Sequence, residues 1–138
     1  MKNYSAPDVL YYMLAKDVGE WVTDEHKYVI DCLSPSNACE LVEKLDELGY
    51  GDDIQDCKLE LRTSYVEETD VYCETNRHYD SKSVSMYCED LDKWVGYTFW
   101  YGGGKYGEPD AIEWIDGAYF LEVQEKEVVV TQREYKRI

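Results

Sequence analysis

The sequence predicts an α+β domain: two N-terminal helices packed on one face of a mostly antiparallel sheet of about five to six strands. Three observations carry that expectation. Apolar residues recur at helical spacing in two N-terminal segments. After about residue 56 the spacing changes to period two, as in a half-buried strand. The later segments are joined by short turns, without the long crossovers that parallel neighbours require. With no internal repeat, low-complexity tract or linker, residues 1–138 are expected to form a single domain.

The first helix is expected from Ala6 to Asp17. Ser5 can cap it, Pro7 suits its first turn, and Asp8 suits the positive helix end. Ala6, Val9, Leu10, Met13 and Leu14 then share one face, and Gly19 is a stop. The apolar run from Val9 to Ala15 is short, is bracketed by Asp8 and Lys16, and reads as helix rather than as a targeting segment.

Lys27–Leu33 reads as a short strand. Ser34-Pro35 then opens the second helix, whose Ala38, Leu41, Val42, Leu45 and Leu48 form one stripe. Gly49 stands where a left-handed C-terminal residue is wanted. Gly51-Asp52-Asp53 reads as a turn. Cys57, Leu59, Leu61, Thr63 and Tyr65 then alternate with polar residues and predict a strand.

Val84, Met86 and Cys88 repeat the alternation. Trp94–Tyr101, aromatic on both faces, predicts a central strand covered on both sides. Ile112–Ile115 and Ala118–Val123 flank Asp116-Gly117, a two-residue hairpin signal. A last strand is expected at Val128–Thr131, after a turn at Gln124-Glu125-Lys126.

Composition bears on function. The chain carries 30 acidic and 14 basic residues, a formal net charge of −16. That excludes a basic nucleic-acid binder and a polybasic membrane-surface protein, and no apolar run is long enough to span a bilayer. The excess is uneven: residues 1–35 carry a net −3, residues 36–92 a net −11 and residues 93–138 a net −2. Close like charges repel in a compact state, and a sequence tolerates such a concentration for solubility, for halophily, which the high aromatic content makes less attractive, or for a basic partner.

On the second helix Glu40, Glu43 and Glu47 follow at three and four residues, opposite the leucine stripe. Their spacing of about 5–6 Å approaches that of phosphates along a nucleic-acid strand. A charged face opposite an apolar stripe is also the ordinary appearance of a surface helix. Asp52, Asp53 and Asp56 continue the acidic series, and Glu67, Glu68, Asp70 and Glu74 form a further group, as do Glu89, Asp90 and Asp92.

Tyrosine is abundant, with 14 residues against 2 phenylalanines. Tyr65, Tyr72, Tyr79 and Tyr87 are interleaved with the acidic groups. Carboxylates beside aromatic faces suit arginine, although tyrosine is also a favourable strand residue.

No catalytic constellation emerges, and a non-enzymatic protein without cofactor or metal is expected. Cys32, Cys39, Cys57, Cys73 and Cys88 are odd in number and contain no CxxC pair, which fits reduced thiols in a cytoplasmic protein. Cys73, His78 and Cys88 match no common zinc spacing. Gly102-Gly103-Gly104-Lys105 lacks the Ser or Thr of a phosphate loop, Tyr106 standing in its place.

In size, charge and composition the chain resembles the small acidic proteins that phages use against host defences, including anti-restriction and anti-CRISPR inhibitors. It is also similar to immunity proteins of bacterial nuclease toxins. These likenesses carry over no functional residue. The leading expectation is an inhibitor acting in the cytoplasm (the host's, if the chain is phage-encoded). It binds a basic protein such as a nuclease or CRISPR effector, and competes with DNA or RNA without contacting nucleic acid or membrane. Its expected contact residues are Glu40, Glu43, Glu47, Asp52, Asp53, Asp56, Glu67, Glu68, Asp70 and Glu74. The alternatives are an immunity protein for a toxin, and a nucleotide-binding or sequestering protein using Gly102–Lys105 with Trp100 and Tyr106.

Overall fold

Ser5 begins the first element as expected. Its hydroxyl accepts from the Asp8 backbone N–H while the Asp8 carboxylate accepts from the Ser5 N–H, a reciprocal cap. Helix α1 runs over Ala6–Gly19. The computed structural model describes residues 4–63, 66–72, 80–101, 114–125 and 131–138, and the fold is drawn from these. A 3₁₀ turn at Asp24–His26 leads into a short helix α2, Lys27–Asp31, followed by α3, Ala38–Glu47, and α4, Gly51–Thr63.

Two of these helices replace expected strands. Lys27–Leu33 contains the helix α2: Val29 turns into the core, while the Ile30 side chain packs over Gly19. A β-branched pair inside a short run does not distinguish helix from strand, and the neighbouring helices decide. The expected strand at 57–65 is replaced in its described part by α4, residues 64 and 65 lying outside the described residues. Ile54, Cys57 and Leu61 are buried at three- and four-residue intervals, whereas Leu59 is 51% exposed. The turn expected at Gly51-Asp52-Asp53 is the first turn of that helix, where carboxylates oppose the positive end of the helix dipole.

Helix α3 starts later than expected. Ser34-Pro35 belongs to a turn in which the Asn37 side chain accepts from the Ser34 N–H and donates to the Cys32 carbonyl. At its other end Gly49 adopts φ 101° as anticipated. The Tyr50 N–H reaches the Leu45 carbonyl and the Gly49 N–H reaches Asp46, which satisfies two terminal carbonyls.

Among the described residues the sheet has four strands rather than five or six: β1 (Glu67–Glu68), β2 (Asp80–Cys88), β3 (Lys93–Tyr101) and β4 (Tyr119–Leu121). They lie in sequence order and pair antiparallel, with Met86 opposite Val95 and Val84 opposite Tyr97. Strand β3 is an inner strand, and Val95, Gly96 and Tyr97 are buried in succession, so both faces are covered there. Asp116-Gly117 does form a turn, closed by the Ala118 N–H on the Ile115 carbonyl. The expected hairpin is not formed by the described residues: Trp114 and Ile115 are not in a strand, and β4 pairs with β3. Residues 112 and 113, and all but Thr131 of the expected strand at 128–131, lie outside the described residues; Thr131 is not in a strand.

Helix α1 is the central element. It packs against α2, α3, α4 and the sheet, and Val9, Leu10, Leu14, Ala15 and Val18 are fully buried. Among the described residues four N-terminal helices, rather than two, therefore accompany the antiparallel sheet. The Tyr97 hydroxyl, buried between the layers, donates to the Leu61 carbonyl near the end of α4. No helix among the described residues is long and apolar enough to cross a membrane.

Candidate functional site: an acidic groove beside Trp21

The turn that follows α1 holds its backbone firmly while presenting its largest side chain to solvent. The N–H groups of Glu20, Trp21 and Val22 donate back to Asp17, Val18 and Gly19. Val22 is buried, and the next residue is tied down by Tyr50, whose hydroxyl accepts from the Thr23 N–H at 3.2 Å and lies 2.8 Å from Nδ1 of His26. Between these anchors Trp21 is 67% exposed.

Trp21 edges a groove of about 380 Å³ between the C-terminal half of α1, α4 and β2. Its apolar lining comes from Met13, Leu61 and Met86, with Tyr87 beside them. Asp17 and Glu20 of the α1 end and Glu60 of α4 supply carboxylates. A smaller hollow of about 220 Å³ shares Trp21, Cys57 and Glu60 and adds Asp53 and Asp56. On α4 the residues Asp53, Asp56 and Glu60 follow at three and four positions and so run along one flank. Asp17 of α1, Glu20 just beyond it, and Asp53, Asp56 and Glu60 of α4 thus line the two hollows that Trp21 borders.

Their fields are felt by the groups between them. Burial, then Glu20 and Glu60, raise the Asp17 carboxyl above its ordinary range, with Lys16 opposing weakly. Burial, followed by Asp17, Glu60, Asp53 and Asp56, pushes the Cys57 thiol up to about 11. Neutral groups are favoured here because the nearest charges are negative and the site is partly shielded from water. Among the described residues none of the five carboxylates belongs to an ion pair; Lys16 is engaged by Asp90 instead.

The ten residues singled out from the sequence fall in several places. Asp53 and Asp56 border the Trp21 hollow. Asp52 is exposed in the first turn of α4. Glu40, Glu43 and Glu47 are all exposed on α3, opposite buried Leu41, Val42 and Leu45. Glu43 also lines a separate hollow of about 190 Å³ with Asp46, Gln55 and Lys58. Glu67 and Glu68 lie on β1, where Glu68 pairs with Lys82 at 2.9 Å, and Asp70 is exposed beyond it.

Glu74 lies outside the described residues, as do Tyr65, Tyr79, Cys73, His78 and the Gly102–Lys105 loop with Tyr106. Trp100 is buried in the sheet. Sequence reasoning missed Asp17, Glu20, Trp21 and Glu60. Reading 51–63 as a helix would have exposed the Asp53, Asp56 and Glu60 spacing.

Cys57 and Cys88 are buried, Cys39 is half-buried and Cys32 is exposed, all as free thiols. No group of three or more His, Cys, Asp or Glu side chains is placed to hold a metal ion among the described residues. Compared with protein-family models, with curated proteins and with solved structures, the chain gave no match.

Proposed function

We propose that this chain is a non-enzymatic acidic inhibitor that binds a basic nucleic-acid-handling protein and competes with its DNA or RNA. The observation that carries the reading is a set of carboxylates on adjacent helices that enter no ion pair among the described residues. Glu40, Glu43 and Glu47 run along α3 in the open, and Asp53, Asp56 and Glu60 run along a flank of α4. Helices α3 and α4 pack on one another and on α1, so both rows belong to the same helical layer. A protein held together against its own negative charge gains from that charge when it meets a cationic surface, through faster encounter and favoured orientation.

The test starts with proteins captured from a bacterial lysate at low salt. A captured nucleic-acid-binding protein should release a labelled oligonucleotide when this chain is added. The chain's affinity for it should fall steeply between 50 and 300 mM salt, a range chosen to shorten the Debye length below about 10 Å. Glu40→Lys, Glu43→Lys and Glu47→Lys combined should weaken the complex at least about tenfold if the charge-assisted contacts are direct. Salt-insensitive capture, or a ternary complex that retains its oligonucleotide, overturns the reading.

A further inference from the structure

We propose that the groove beside Trp21 is a socket for an arginine side chain of the protein partner, a proposal that rests on the cationic-partner reading above and deepens it. The groove combines three recognition elements that a guanidinium on an aliphatic stem needs together. The indole of Trp21, a residue 67% exposed on an ordered turn, offers a stacking surface. Carboxylates of Asp17, Glu20 and Glu60 at its border offer acceptors without competing ion pairs among the described residues. Met13, Leu61 and Met86 provide apolar surface for the methylene stem.

Cys57, 4% exposed and part of the hydrophobic core, adds a small apolar group to this lining. Volume agrees with the assignment: about 380 Å³ accommodates one long side chain together with part of the chain that bears it. Arginine is favoured over lysine because a planar fork can stack on the indole and meet two carboxylates at once, whereas an ammonium is a compact, strongly hydrated point charge.

The experiment uses the full chain and follows the Trp21 indole N–H by NMR, assigned through Trp21→Phe. The probes are an acetylated, amidated Gly-Arg-Gly peptide, its lysine twin, guanidinium chloride and spermidine. The arginine peptide should shift the Trp21 signal saturably and bind at least about threefold more tightly than the lysine twin. Asp17→Asn combined with Glu60→Gln should weaken it about tenfold, as should Trp21→Ala, with circular dichroism confirming the fold. Neutralising Glu40, Glu43 and Glu47 on α3 should change it less than about twofold.

Binding that leaves the Trp21 signal unmoved and follows the α3 variant overturns the socket while the basic-partner reading stands. Guanidinium or spermidine binding as tightly as the peptide overturns a protein arginine in favour of a small cation. Absence of any saturable shift overturns the socket outright, and the salt titration of the whole complex then judges the broader reading separately.

Discussion

Tyr50 serves three neighbours at once. Its N–H closes the end of α3 on Leu45, its carbonyl receives Ile54 in the first turn of α4, and its hydroxyl fixes Thr23 and His26 beyond α1. Tyr50→Phe keeps the backbone roles and removes only the hydroxyl, so it should cost about 1 kcal/mol in urea unfolding. It should also loosen the turn that presents Trp21, seen as faster amide exchange at Thr23. Gly96 is a second position fixed by contact. A Cβ there would stand 2.4 Å from Cε2 of Tyr119, so the ring on β4 must swing away. Gly96→Ala should destabilise by about 1–3 kcal/mol, the usual range for overpacking, in the same assay. At Cys57 the raised pKa predicts slow alkylation at neutral pH, and mass spectrometry should find Cys32 modified well before it. Neutralising Asp56 and Glu60 should lower the Cys57 pKa and speed its modification, since both carboxylates contribute to the shift.

At the scale of elements, α1 is joined to the turn between β2 and β3 by Lys16 and Asp90, with the Tyr12 hydroxyl donating to the same carboxylate. The hydrogen bond from Lys16 lowers the Asp90 carboxyl, and the same bond raises Lys16. The lowered acid contributes stability above its ordinary value and loses it as pH falls through its folded value. The raised base contributes below its ordinary value and loses it as pH rises through its folded value. Lys16→Met should therefore be less stable than the parent across the neutral range, and the difference should vanish in acid once Asp90 is protonated; paired unfolding curves against pH check this. Helix α1 itself was legible because its signals are local: Ser5, Pro7 and Asp8 specify a start without reference to the rest of the chain. In β2 the alternation of Val84, Met86 and Cys88 was a true signal, since all three are buried in the strand. Helix α4 was not legible. Cys57 and Leu61 fit both a strand's second-neighbour spacing and a helical turn, and Leu59 tipped the reading to strand although it ends exposed. That misreading hid the groove, because Glu60 alternates away from Cys57 in a strand but lines the same groove in the helix. Trp21 was hidden differently: exposure of an indole depends on which neighbours close over it, and no local pattern encodes that.

For the whole molecule the dominant fact is a net charge of −16 on 138 residues. Self-repulsion of that size opposes the compact state and is relieved by salt, so thermal stability should rise as sodium chloride is added. Asp17 concentrates the effect. Burial and two neighbouring carboxylates raise its folded pKa above the ordinary value. Such a raised acid contributes its stability below the ordinary carboxylate pKa and loses it as pH rises through the folded value, leaving an unfavourable charge at neutral pH. Asp17→Asn and Glu60→Gln should therefore each raise the melting temperature at low salt, with a gain that shrinks as screening increases. The same substitutions should weaken capture of a basic partner, because they remove the acceptors beside Trp21. Opposite signs for stability and binding are what the proposed cation-binding surface predicts, since a bound cationic partner would relieve the repulsion. If the two substitutions lowered the melting temperature, or raised it while leaving partner affinity unchanged, the acidic border of the groove would be serving the fold or bulk solubility rather than recognition. Differential scanning calorimetry beside a binding titration, both repeated at low and high salt on the same variants, separates these outcomes.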